Sequence, residues 1–153
     1  MIVVSDTSVI TSLLQIGQIG LLPQLYARVV LPEAVYEELG RAHSDLPSFL
    51  IVQKVQNRSD VVALEKLLDK GESEAIILSL EIHAQALLMD EAKGREVARS
   101  KGLRVVGLLG VLVQARRSGK IGLLAPVLTR LRNEVGFYIS KELESTVLRT
   151  AGE

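Results

Sequence analysis

The stretch Met1-Ile-Val-Val-Ser-Asp-Thr-Ser8 decides how the rest of the chain is read. Its β-branched run stops at Asp6, and helix-compatible sequence follows at once. The pattern returns at Ala86-Leu-Leu-Met-Asp90-Glu91. Each segment reads as a buried strand with an acidic residue at its C-terminal end and a helix beyond. Parallel strands in one sheet bring Asp6 and Asp90 out on the same edge, where open α/β sheets bind ligands. Two carboxylates meeting there suit a hard divalent cation.

Working outward, strands and helices alternate. Thr7–Gln15 and Ile19–Tyr26 read as helices parted near Gly17. Arg28–Leu31 is a second strand, and Pro32 suits the first turn of a helix running to about Ala42. Ser44–Pro47 is a loop, and Leu50–Val55 a strand near a sheet edge. Ser59 or Asp60 can cap a helix ending near Lys70-Gly71. Glu72–His83 is helical, Ala86–Met89 a strand, and Glu91–Lys101 a helix stopped by Gly102. Leu103–Val106 is the next strand, then come helices over Leu108–Ser118 and Ile121–Asn133. Phe137–Ile139 is extended, and Ser140 caps a last helix to about Arg149. This alternation predicts an α/β fold, a three-layer α/β/α sandwich around a mostly parallel sheet. The whole chain reads as one domain, with residues 121–153 a helical extension of it.

The bulk numbers narrow the function. A chain of 153 residues supports one full core. With no cysteine, disulfides, thiolate catalysis and Cys-based zinc sites are excluded. Two histidines, His43 and His83, are too few for a multi-His metal site. Zero formal net charge gives no globally basic surface for a duplex. Aromatics at 3% leave little for extensive base stacking. No basic leader precedes Asp6, and no apolar run nears the ~20 residues that span a bilayer. A cytoplasmic protein is expected.

Each candidate residue has a plainer explanation beside the chemical one. Asp6 and Asp90 each precede a helix and are favoured N-caps; two of them after two parallel strands weaken that account. Glu38 shares a helix face with Ala34, Val35, Leu39 and Ala42. An ionised carboxylate there is costly unless paired or bound to a metal. Glu33, Glu37 and Arg41 form a solvated ladder on another face. In Gly71-Glu-Ser-Glu-Ala-Ile76, acidic residues suit a first helical turn through the dipole alone. Periodicity does not choose between Glu72 and Glu74. Ser8 can orient Asp6 or a water, and Glu91 adds acidity beside Asp90. Lys93 and Arg95 can meet a phosphate or simply solvate a helix. Arg116, Arg117 and Lys120 cluster at a helix end, where cations complement the dipole.

These motifs together resemble the PIN-domain family, in order from about Ile2 to Lys120. The first strand with Asp6-Thr7-Ser8 resembles the family's opening strand and first metal aspartate. Pro32-Glu-Ala-Val-Tyr-Glu-Glu38-Leu39 resembles its second motif, which maps the ligand to Glu38. Gly71-Glu-Ser-Glu74-Ala-Ile resembles the third and favours Glu74, although many members carry Asp there and Glu72 competes. Leu87-Leu-Met-Asp90-Glu91 resembles the fourth. The resemblance implies a ribonuclease that uses Mg²⁺ or Mn²⁺ held by Asp6, Glu38, Glu74 and Asp90, often the toxin partner of an antitoxin protein.

Two other classes stand beside this one. One is a catalytically inert PIN-like module that binds RNA or protein. The other is a haloacid-dehalogenase-type phosphatase, which resembles Asp-x-Asp after strand one, whereas Ser8 stands at the second position after Asp6. For assembly, Leu123, Leu124, Val127, Leu128 and Leu131 share a broad apolar face that must cover the sheet or meet a partner. The resemblance implies a homodimer, in which Arg116, Arg117 and Lys120 rim the RNA path.

Overall fold

The computed structural model describes residues 1–153, and its centre is a five-stranded, all-parallel sheet in the order β3-β2-β1-β4-β5. The strands are β1 (Ile2–Ser5), β2 (Arg28–Pro32), β3 (Leu50–Gln53), β4 (Ala86–Leu88) and β5 (Val105–Val106). Nine α-helices connect and cover them: α1 (Thr7–Gln15), α2 (Leu21–Leu25), α3 (Glu33–Ala42), α4 (Arg58–Leu64), α5 (Lys70–Glu81), α6 (Ala92–Ser100), α7 (Leu108–Arg117), α8 (Ala125–Arg130) and α9 (Lys141–Thr150). The predicted three-layer sandwich is therefore the observed one.

The central strands are apolar throughout because both their faces are covered. Their period of two sorts side chains between two cores. Val3, Val29, Leu31, Ala86 and Leu88 face a core of 25 buried residues built with α1, α2, α3, α7, α8 and α9. Val4, Val30, Leu87 and Met89 face a second core of 13, built with α4, α5 and α6. Parallel registry is tight at the centre: Val3 lies opposite Val29 on one side and Ala86 on the other. β3 is an edge strand, and Ile51 and Val52 are exposed on it.

Chain order reverses at β1. From β1 the chain winds outward through β2 and β3, then returns to lay β4 on β1's other side. The C-terminal edge between β1 and β4 is thus a topological switch point, where connecting helices diverge and leave a crevice.

Several boundaries differ from expectation. Asn57, not Ser59 or Asp60, caps α4 by accepting the Asp60 amide, and α4 ends at Leu64. Asp69 then caps a separate helix, α5, in a reciprocal capping box with Glu72. The helix expected from Ile121 starts at Ala125, consistent with Gly122 and with Pro126 in its first turn. A π-helical turn over Leu131–Val135 follows it and stops at Gly136 in the left-handed region (φ 74°). The apolar face proposed for a partner is mostly spent internally. Leu124, Val127, Leu128 and Leu131 are buried in the larger core, and only Leu123 is exposed.

Candidate metal centre at the switch point

β1 ends one residue before Asp6, and β4 ends two residues before Asp90. Asp6 is locked in place: its N–H donates to the Leu88 carbonyl at 2.9 Å. Its side chain is 4% exposed, and its two oxygens divide the work. Oδ1 accepts the Val9 amide at 3.0 Å and so caps α1. Oδ2 accepts the Ser8 hydroxyl at 3.0 Å and the Asp90 amide at 3.3 Å. The carboxylate that caps α1 is thus also the one that ties the β1 end to Asp90. Burial drives the Asp6 carboxyl up to about 6 against the opposing Val9 hydrogen bond, and the negative Asp90 pushes in the same direction.

Asp90 does not cap the helix that follows it. Glu91 does that, accepting the Lys93 amide at 3.2 Å. Asp90 reaches across to β5's far end, where Oδ1 accepts the Leu108 amide, the first of α7, at 2.9 Å. Its Oδ2 is buried with no partner. Burial raises its pKa, opposed by the Leu108 amide and by the nearby Arg95 guanidinium. Gly107 leaves room for this arrangement: a Cβ there would stand 2.8 Å from Asp90 Oδ1 and collide with Arg95 Nη1.

A cleft of about 460 Å³ opens beside Asp6, lined by Ser8, Thr11, Glu38, Asp69, Glu72, Glu91 and Lys93 among others. Glu38 hangs into it from α3, and its carboxylate rests on the bare Cα of Gly71, where a Cβ would come within 2.6 Å of Oε1. Glu72 enters from the first turn of α5. Burial pushes its carboxyl up to about 7, against the Asp69 amide, and the negative Asp69 and Glu91 add to the rise.

Glu74 is not among the lining residues. It is 3% exposed and fully engaged elsewhere: Oε1 accepts the Ala34 amide at 3.0 Å and Oε2 accepts Arg58 Nη1 at 2.9 Å. Pro32, at the cap position of α3, offers no capping side chain, so Glu74 of α5 supplies the missing acceptor to the helix that carries Glu38. Glu72, the competing reading, occupies the cleft. The physical reason is helix geometry: residues two apart point about 200° from each other, so only one of the pair can face the crevice.

The basic candidates also separate. Lys93 borders the cleft. Arg95 donates to the Met89 carbonyl at 3.3 Å and sits by Asp90, outside the cleft. Arg116, Arg117 and Lys120 lie at the C-terminal end of α7. That helix starts beside Asp90 and runs back for about 15 Å toward the opposite sheet edge. Arg116 pairs there with Glu153 at 3.2 Å. These three residues do not rim the acidic cleft of their own chain.

The donor chemistry fits a hard divalent cation. The cleft holds oxygen ligands and no Cys or His, the carboxyls of Asp6 and Glu72 are raised by burial and neighbouring negative charge, and Asp90 beside it keeps an unsatisfied buried oxygen. The cage is open, since no group of three or more acidic side chains stands close enough to share one ion. Asp69 and the close approaches over Gly71 and Gly107 escaped the sequence reading. Asp69 was within reach, as an aspartate three residues before Glu72 at a helix start. The two glycines carry no local signal, because neither needs positive φ.

A family model described as PIN domain matches residues 2–153. No curated protein and no solved structure matches the chain.

Proposed function

We propose, from the premise that this chain belongs to the PIN-domain family, that it is a divalent-metal-dependent ribonuclease with its active centre between β1 and β4. PIN domains are generally nucleases, so a nuclease-type hydrolase is the coarse reading and RNA as substrate the finer one. The observation that carries the proposal is the pairing of Asp6 with Asp90 at the switch point, with Asp90 Oδ2 buried and unpartnered beside an acidic cleft.

Asp6 Oδ2, Asp90 Oδ2, Glu38 and Glu72 would hold Mg²⁺ or Mn²⁺, with Glu91 near. The ion supplies Lewis-acid polarisation of a phosphate and lowers the pKa of water. Ser8 orients Asp6 Oδ2 by donating to it. Asp6 Oδ1 stays committed to Val9 and anchors the loop. Lys93 offers a cation to an incoming phosphate at the cleft wall. Glu74 holds α3, and so Glu38, in place without entering the cleft.

The same reading carries RNA, a cognate antitoxin and a cytoplasmic setting as proposals. No helix is long and apolar enough to cross a membrane. Pairing of two chains no longer has the Ile121–Leu131 face behind it, since that face is largely buried in the chain's own core. The second reading, an inert RNA-binding module, is favoured by one observation, the open cage.

The deciding experiment is cleavage of mixed structured RNAs in Mn²⁺, in chelator, and with Asp6→Asn. Cleavage that needs the metal and disappears in the variant supports the nuclease. Binding without cleavage by the wild-type chain supports the inert module.

A further inference from the structure

A second concavity, about 540 Å³, lies along β5 and is bordered by Asp90 and Arg95 instead of Asp6. Its volume falls in the range of sites for single small ligands. The chemistry of its wall differs from that of the acidic cleft. Val106, Leu109 and Val147 give it an apolar lining, Phe137 and Tyr138 add two rings, and Arg95 and Arg104 supply positive charge. Two of the chain's five aromatic residues are thus placed together at this one spot. Tyr138 is 86% exposed, the most exposed of the large hydrophobic side chains. Neither arginine is in an ion pair, since the chain's four engage Arg58, Arg116, Arg130 and Arg132, although Arg95 gives one N–H to the Met89 carbonyl. An exposed ring beside guanidinium groups that lie outside any ion pair suits a base that stacks and a phosphate that takes charge-assisted hydrogen bonds. Continuity with the acidic cleft runs through Asp90, which lines this pocket and whose backbone N–H donates to Asp6.

We propose that this pocket holds one nucleotide of the RNA strand next to the scissile phosphate, with its base stacked on Tyr138 and its phosphate held by Arg95 and Arg104. The inference rests on the ribonuclease reading and adds a subsite to it. It also answers how a chain of zero net charge retains RNA beside a cluster of carboxylates: attraction is local, supplied by two arginines and a ring and not by a basic surface.

The test is anisotropy of a fluorescein-labelled 12-nucleotide single-stranded RNA in Ca²⁺, with wild-type cleavage in Mn²⁺ measured alongside. Tyr138→Ala should weaken binding roughly 5- to 150-fold, the range for losing one stacked base. Tyr138→Phe should bind as wild type, because the ring remains. Arg104→Ala should weaken binding and lower the logarithmic salt slope by about 1, as for one lost phosphate contact. Thermal melts should match wild type for Tyr138→Ala, whose ring is solvated. If wild type binds and cuts RNA while Tyr138→Ala and Arg104→Ala bind equally well, the subsite is wrong and the nuclease reading stands. If those variants leave RNA binding alone and change the oligomeric state in light scattering, the pocket is a protein contact and the proposal is overturned. If wild type neither binds nor cuts RNA, both readings fall together.

Discussion

The Asp90 amide donates to Asp6 Oδ2 at 3.3 Å, so the main chain of one strand end is tied to the side chain of the other. The two acids of the proposed centre are in this way coupled by the protein's own hydrogen bonds. One carboxylate caps α1, receives Ser8 and steadies the β4 end, while the other carboxylate caps α7.

The first prediction separates capping from charge at Asp6. Asparagine caps as well as aspartate does, and alanine does not. In chelator at pH 7.5, Asp6→Asn should be as stable as wild type or more so, because it removes a buried charge that repels Asp90. Asp6→Ala should lose about 1 kcal/mol or more relative to Asp6→Asn. Denaturant melts of the two variants measure this difference. Equal stabilities would mean that the Val9 hydrogen bond contributes nothing.

The metal-free fold should lose stability as pH rises. Asp6 is held at about 6 in the folded chain against 3.8 in the unfolded one. A raised carboxyl favours folding fully below the unfolded value, and that contribution is lost as pH climbs through the folded one. The loss for Asp6 is on the order of 3 kcal/mol across that window. Glu72, at about 7 against 4.5, acts in the same direction over a higher window. Melting temperatures in chelator between pH 4 and 8, compared with Asp6→Asn, check this; a wild type without the extra slope would contradict the burial argument. Added Mn²⁺ should flatten the slope, since it binds the ionised forms.

Gly71→Ala should uncouple stability from metal binding. A Cβ at Gly71 displaces the Glu38 carboxylate, the movable end of a flexible side chain. Alanine is favoured over glycine in a helix by up to about 1 kcal/mol. The variant should therefore melt at or above wild type and bind Mn²⁺ more weakly in titration calorimetry. Gly40→Ala, with nothing within 4 Å of its new Cβ, is the control that should leave affinity unchanged.

Glu72 and Glu74 should respond in opposite ways. Glu72→Gln keeps the capping box, relieves repulsion and should lower Mn²⁺ affinity at little cost to the fold. Glu74→Gln breaks an ion pair whose acid is 4% exposed and should destabilise by about 1–3 kcal/mol. Its Mn²⁺ affinity, measured well below its melting point, should stay near wild type. A reversal of this pattern would return the third ligand to Glu74.

Among surface cations, position decides the effect on RNA. Lys93→Ala should reduce the logarithmic salt slope of RNA binding by about 1. Arg117→Ala should change both affinity and slope less than Lys93→Ala does, because α7 carries it away from the acidic cleft, to a hollow it shares with Arg104. A loss with Arg117→Ala as large as with Lys93→Ala would place RNA, or a second chain, at that hollow.

The sequence by itself determined the sandwich, the strand-end acids and the inward-facing Glu38. Those features rest on short periods and local chemistry: continuous apolar runs for strands covered on both faces, a helical repeat for α3, and an acid at the turn that follows a strand. Only the tertiary structure decided which glutamate of α5 enters the cleft, because Glu74 is drawn away by Ala34 and Arg58, which lie 40 and 16 residues off in the chain. Packing likewise sent the Leu124–Leu131 face into the core, and helix direction moved Arg116 and Arg117 away from the acids. The room for Glu38 above Gly71, and for Asp90 and Arg95 above Gly107, is a contact between distant segments. A missing side chain leaves no periodic or chemical trace in the sequence, so its role emerges only where another element closes over it.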